Sequence, residues 1–259
     1  MARVRITGVP EWVDHRRLLD PGEWVLEDGA WTGERSPADA ADLAARLRNL
    51  GMGGEPIEVS VQPPLKRALV RAARSTEARR KRHSTPGFLR PNAQVDEDGR
   101  RFLTPEKLAV SLGKRAKASL VVDATAGCGG NAIGFARAGA SVLAVELDPD
   151  RLKLARHNAR VYGVQSRIQF ICADATQRLA TLSGDLLFLD PPWGEPDRIA
   201  THTVPLLTEL LEAGRHFERI WAKVPPSFVG IEGFSMEAWF GHGQGDKNRV
   251  KFVLLRNDR

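Results

Sequence analysis

A chain of 259 residues has room for one large domain and a smaller companion, and its 42% hydrophobic and 27% charged residues exclude a disordered or fibrous class. No apolar run approaches the ~18 residues that span a bilayer, the opening MARVRITGVPEWVDH lacks the apolar stretch of a secretory leader, and two cysteines, Cys128 and Cys172, are too few for a disulfide framework. The net charge of +6 is concentrated: residues 1–65 hold 7 basic and 11 acidic side chains, residues 66–90 hold 9 and 1, and residues 91–259 hold 22 and 20. Arg3–Thr7 reads as a strand, and Glu23–Leu26 can pair with Ala30–Trp31 across Glu27-Asp28-Gly29. Ser36-Pro37-Ala38-Asp39 starts a helix with a capping hydroxyl, a proline at the first position and an acid at the third. Leu43, Leu47 and Leu50 mark its inner face and Gly51 ends it. Pro56–Val61 alternates like a strand, and Pro63-Pro64 opens a basic helix from about Leu65 to Arg82, broken by Ser84-Thr85-Pro86-Gly87.

From Ser119 the pattern becomes strands alternating with helices, which predicts a parallel α/β sheet. The strands are Leu120–Ala124, Ser141–Glu146, Ile168–Cys172, Asp185–Leu189 and Arg219–Lys223; the helices are Asn131–Ala138, Arg151–Val161 and Thr203–Ala213. Ser235–Gly241 and Arg249–Leu255 follow each other without room for a helix, so they form an antiparallel pair at the sheet edge. The expected architecture is a Rossmann-like, seven-stranded, mostly parallel sheet with an antiparallel edge strand. Residues 1–90 form a small α+β module that includes the basic helix, and residues 91–259 form the main domain.

The turn Asp123-Ala-Thr-Ala-Gly127-Cys-Gly129-Gly130-Asn131 lies where the first of these strands becomes a helix, and Glu146 ends the next strand. An acid there can hold ribose hydroxyls, while the glycines let a ligand approach the backbone. The spacing is not G-x-G-x-x-G, and Asp123 would repel a pyrophosphate, which argues against a dinucleotide. A cationic nucleoside without phosphate, S-adenosylmethionine, fits better. The scattered histidines show no metal-ligand spacing, and no metal is expected.

Three segments, AGCGGN, ARHNARVYGV and PPWG, together with the approach segment DEDGRRFLTPEKLA, carry a likeness over roughly residues 94–225. The chain resembles class I S-adenosylmethionine-dependent methyltransferases and is most similar to the trimethylguanosine synthase family, the RNA cap guanine-N2 methyltransferases. The resemblance implies that Asp123 and the backbone from Ala126 through Gly127 to Gly129 hold the methionine end of the cofactor. Glu146 would take the ribose, Leu147 would pack on the adenine and Asp174 would bind the adenine amino group. Thr104, Asn131 and Asp190 complete the implied cofactor set.

Asp190-Pro191-Pro192-Trp193 follows a buried strand, and neither proline can extend a sheet or a helix interior. The motif suits methyl transfer to an amine on an aromatic ring, whose lone pair is delocalised. Asp190 and the Pro191 carbonyl would accept the two N–H bonds, and Trp193 would stack on the base. Asp190, Pro191 and Trp193 are therefore the candidate catalytic residues, and RNA is the expected partner. The block Lys66, Arg67, Arg71, Arg74, Arg79, Arg80, Lys81 and Arg82 would contact its phosphates. Two positions depart from the family: Asp190 stands where it has Ser or Asn, and Glu195 where it has glycine. The same D-P-P-W chemistry serves N6-adenine methylation of DNA or RNA, so that reading stays open. A small-molecule N-methyltransferase and a non-catalytic nucleic-acid-binding module are the further alternatives. The cytoplasm is the expected location.

Overall fold

The computed structural model describes residues 1–82, 87–193, 204–243 and 245–258. Strand β1 (Ala2–Thr7) buries Ala2, Val4 and Ile6 and turns Arg3 and Arg5 outward, the alternation of a sheet with one wet face. It pairs antiparallel with β3 (Ala30–Arg35) and β6 (Glu58–Gln62), while β2 (Val25–Glu27) closes a hairpin on β3. Asp14 caps the short α1 (His15–Leu18), and Ser36 Oγ accepts from the Asp39 amide at 3.1 Å to cap α2 (Pro37–Leu47). Leu43 and Leu47 bury one face of α2 in the same apolar cluster as Val4 and Ile6. The helix stops at Leu47, short of the expected Gly51, and Asn49 takes a left-handed φ of 60°. Gly51 instead opens a hairpin of β4 (Gly51–Met52) and β5 (Glu55–Pro56). Its Gly53 and Gly54 amides donate to the carbonyls of Pro226 and Ser227, far along the chain. The basic helix α3 (Arg67–Arg82) packs on α2.

Two helices precede the main sheet: α4 (Glu97–Phe102) and α5 (Glu106–Ala116). Leu108, Leu112 and Ala116, spaced one turn apart, bury one face of α5. Then follow β7 (Leu120–Asp123), α6 (Gly130–Arg137), β8 (Ser141–Glu146), α7 (Pro149–Val161), β9 (Ile168–Cys172) and α8 (Ala175–Arg178). β10 (Leu186–Leu189), α9 (Pro205–Ala213), β11 (Arg219–Val224), β12 (Ser235–Phe240) and β13 (Val250–Asp258) complete the chain. The sheet order is β12-β13-β11-β10-β7-β8-β9, with β13 antiparallel to both its neighbours and the five strands from β11 to β9 mutually parallel. β10 is buried along its whole length, as a strand covered on both faces must be. Strand order runs outward from β7 to β9 and returns at β10, so a crevice opens beyond the carboxyl ends of β7 and β10.

The N-terminal unit is fastened to the β12 edge of this sheet. Phe240 of β12 sits in the apolar cluster of Val4, Ile6, Leu18 and Leu43, with the Arg17 guanidinium 4.5 Å from its ring centroid. Arg46 donates to the carbonyls of Leu18 at 2.6 Å and Asn248 at 2.9 Å, and pairs with Asp20 at 2.6 Å. Glu77, the buried acid of the basic helix, makes a two-pronged ion pair with Arg249.

Candidate active site

Four parallel strands end in, or run directly into, an acid: Asp123 after β7, Glu146 after β8, Asp174 beyond β9 and Asp190 beyond β10. Glu146, Asp174 and Asp190 line a cavity of about 730 Å³, together with Thr104, Ala126, Gly127, Asn131, Leu147, Pro191 and Trp193. Asp123 is fully buried beside it. Gly127 adopts φ 52° with open space where a Cβ would stand. Gly129 is different: at φ 91° it approaches Ala155 of α7, where a Cβ would lie 3.2 Å from the backbone, and it does not line the cavity. Its lack of a side chain lets α6 and α7 pack closely at this turn.

Neither carboxylate oxygen of Asp123 has a hydrogen bond of proper geometry. Its pKa is pushed up to about 7, first by burial and then by the charge of Asp190, with Glu146 adding to the effect. The amides of Thr125 and Ala132 oppose that shift without overcoming it. Glu146 holds the turn itself: Oε2 accepts from the Gly127 amide at 2.7 Å and Oε1 from the Asp148 amide at 2.9 Å. Asp174 Oδ1 caps α8 by accepting from the Thr176 amide and hydroxyl at 2.9 and 2.7 Å. Leu147, 68% exposed, presents an apolar side chain on the cavity wall.

At the other end, Asp190 is the hub of a buried cluster. Its Oδ2 accepts from Lys223 Nζ at 2.7 Å, Asn131 Nδ2 at 2.9 Å and Thr104 Oγ1 at 3.4 Å. Lys223 Nζ also donates to Thr104 Oγ1 at 2.8 Å. The side chains of Lys223 and Asp190 are 4% and 12% exposed, so this pair is held away from solvent. The Asp190 amide donates to Thr125 Oγ1 at 2.8 Å. Trp193 donates its indole N–H to the Lys223 carbonyl at 3.2 Å, and its ring centroid lies 5.2 Å from Lys223 Nζ. Sequence reasoning missed Lys223, whose only local signal is a charge inside the apolar strand RIWAKV.

The remaining motif residues clamp the approach segment over the glycine turn. Asn158, fully buried, accepts from the Gln94 amide and donates to the carbonyls of Gln94 and Cys128. Tyr162 accepts from the amides of Leu89 and Arg90 and donates to Glu106 at 2.5 Å. Asp96 binds Arg151 at 2.6 Å and the Gly99 amide at 2.7 Å, which sets α4 against the cavity. Burial pushes the Cys128 thiol up to about 11, and both cysteines are free.

On α3 and the residue before it, Lys66, Arg67, Arg71, Arg74, Arg79 and Arg80 are exposed, with Arg80 3.5 Å from Asp42. The side chains of Lys81 and Arg82 lie outside the described ones, as does Glu195. Among the described residues no helix is long and apolar enough to cross a membrane, and no group of three or more His, Cys, Asp or Glu side chains could hold a metal ion.

Residues 118–216 match the family model described as RNA cap guanine-N2 methyltransferase. The trimethylguanosine synthase of Schizosaccharomyces pombe is 38% identical over 104 residues, covering 36% of this chain and 43% of that protein. The trimethylguanosine synthase of Saccharomyces cerevisiae is 30% identical over 122 residues, covering 43% and 39%. The chain thus spans less than half the length of these relatives. A crystal structure of a methyltransferase from Geobacter sulfurreducens overlays with a TM-score of 0.44 at 18% identity, covering 75% of this chain and 90% of that one. The stretch from β7 to the end of α9, which carries the cavity's acids and its Pro-Pro-Trp wall, lies within the residues that match the RNA cap guanine-N2 methyltransferase family model.

Proposed function

We propose that this chain is an S-adenosylmethionine-dependent methyltransferase that acts in the cytoplasm on the exocyclic N2 amine of guanine in RNA. Residues 1–90, with the arginines of α3, dock the RNA, and residues 91–259 carry the chemistry. One observation carries the reading: a single cavity has acids around a glycine turn at one end and Asp190 with Trp193 at the other.

The residues fit the cofactor. Asp123 is a buried carboxylate with two unpartnered oxygens, an arrangement that favours a cationic neighbour. Gly127 leaves open space against the backbone, and Leu147 offers an exposed apolar face for a base. Glu146 keeps lone pairs beyond the two amides it already accepts from, enough for ribose hydroxyls. Asp174 Oδ2 has no partner among the described residues, which suits an amino group. When bound, S-adenosylmethionine supplies an electrophilic methyl group on a positively charged sulfur.

Asp190 Oδ1, which has no partner among the described residues, accepts one N–H of the substrate amine, and the Pro191 carbonyl accepts the other. Two acceptors at fixed angles draw the nitrogen toward a tetrahedral shape and free its lone pair. Trp193, locked by its bond to the Lys223 carbonyl, stacks on the base for roughly 1–3 kcal/mol. Positioning and electrostatics carry the step, without a strong general base. The test is incubation with labelled S-adenosylmethionine and total RNA, DNA and metabolite fractions, followed by nucleoside mass spectrometry. N2-methylguanosine in RNA is the expected product. N6-methyladenosine, or label confined to metabolites, would overturn the substrate assignment.

A further inference from the structure

The resemblance to cap methyltransferases leaves open which guanine the cavity takes. An N7-methylated guanine carries a delocalised positive charge; an ordinary guanine is neutral. A lone carboxylate beside the base would favour the cation. Asp190 is not alone: Lys223 Nζ sits 2.7 Å from its Oδ2, and Asn131 and Thr104 donate to the same oxygen. The carboxylate's charge is already balanced inside the protein, where little solvent screens it. The same ammonium lies 5.2 Å from the Trp193 ring centroid and 5.4 Å from that of Phe252. Its positive charge therefore occupies the electron-rich surface that would otherwise attract a cationic base. Asp123, Glu146 and Asp174 belong to the glycine-turn end, where the cofactor brings its own positive charge; Asp96, paired with Arg151, and Glu209 of α9 also line the cavity, but neither is bonded into the Asp190–Lys223 cluster.

We propose that Lys223 is a specificity-determining residue that sets this site for an uncharged guanine and against an N7-methylated, cationic one. The inference rests on the methyltransferase reading and names the substrate class within it. Stacking a cation on Trp193 would place two positive charges against one ring, while the Asp190 carboxylate beside it is already paired with Lys223. A neutral base meets no such opposition and still finds Asp190 Oδ1 for its amino group.

The test uses the full chain saturated with S-adenosylhomocysteine, with GMP and N7-methyl-GMP titrated in parallel by calorimetry. GMP should bind at least about tenfold more tightly, the equivalent of about 1.4 kcal/mol. Lys223→Met should abolish or invert that ratio, and Lys223→Arg, which keeps the charge, should retain it. If Lys223→Met fails to fold because Asp190 is left buried without its partner, the double variant Lys223→Gln/Asp190→Asn should bring the two affinities together. A wild-type protein that binds S-adenosylhomocysteine yet prefers N7-methyl-GMP, or binds neither nucleotide, would overturn the inference alone. Failure to bind S-adenosylhomocysteine would overturn the methyltransferase reading beneath it.

Discussion

Replacing Asp123 with asparagine should remove a pH dependence that the folded protein otherwise carries. In the fold the carboxyl is pushed up to about 7, chiefly by burial and then by Asp190; its ordinary value is 3.8. Between those two values the folded state keeps a proton that the unfolded chain has released, so stability falls as pH rises through the window. From pH 5 to pH 7 the loss is about two units at ~1.4 kcal/mol each, or about 3 kcal/mol, and it levels off above pH 7. Asparagine does not titrate. Whatever fixed amount the buried amide costs or contributes cancels when one pH is compared with another. Urea unfolding of both proteins without cofactor, at pH 5, 6, 7 and 8, measures the difference. The variant should gain about 3 kcal/mol on the wild type between pH 5 and pH 8. A gap that stays constant with pH would mean that Asp123 is ionised throughout, and the argument that it awaits a cationic partner would fail. The same charge predicts that S-adenosylmethionine binds the wild type more tightly at pH 8 than at pH 6, and Asp123→Asn should lose that rise.

Neutralising Lys66, Arg67, Arg71, Arg74 and Arg79 to glutamine should lower RNA affinity and reduce the log–log salt slope by roughly 0.7–0.9 per lost phosphate contact; equal slopes would leave the α3 arginines as solvated surface. Asn158→Ala breaks the bonds to the backbone of the exposed Gln94 and orphans the buried Cys128 carbonyl, and at roughly 1–3 kcal/mol for a buried unpaired group it should destabilise the protein by about that amount in urea titrations. Trp193→Phe should keep part of the single-turnover rate and Trp193→Ala should lose both base capture and turnover; normal behaviour of both would reduce the Pro-Pro-Trp segment to a rigid loop.

The sheet was readable because its strands are short apolar runs, each ended by a turn residue or an acid at a helix cap. The apolar β10 run and the caps at Asp148 and Asp174 are local facts, and local facts survive folding. Asp123, Glu146, Asp174 and Asp190 converge because neighbouring parallel strands point the same way, so strand order alone brings their ends together. Lys223 could not be read in this manner. It meets Asp190 only because β11 pairs parallel with β10 in the register Leu189 to Ala222, and nothing local in either segment announces that pairing. Gly129 shows the opposite difficulty. It sits in the glycine motif like Gly127, but only the approach of Ala155 reveals that close packing against α7 also demands a glycine there. The fastening of α3 through Glu77 and Arg249 was hidden for the same reason as Lys223: the partners lie 172 residues apart.

Lys223 also changes what Asp190 can do. A carboxylate alone in a cavity could take the proton of the attacking amine, or attract any cation offered to it. One whose Oδ2 is bound by an ammonium, an amide and a hydroxyl is fixed in place, its charge balanced and its Oδ1 left as the remaining acceptor. Such a group is suited to hold an N–H bond at a set angle and poorly suited to carry the proton away. On the proposed function, the amine would be held by geometry, between Asp190 Oδ1 and the Pro191 carbonyl, with the base pressed on a ring whose N–H is itself bonded to the strand bearing Lys223. Position, polarity and choice of base would then depend on the ion pair between Asp190, just beyond β10, and Lys223 of β11, and a change at Lys223 should disturb all three together.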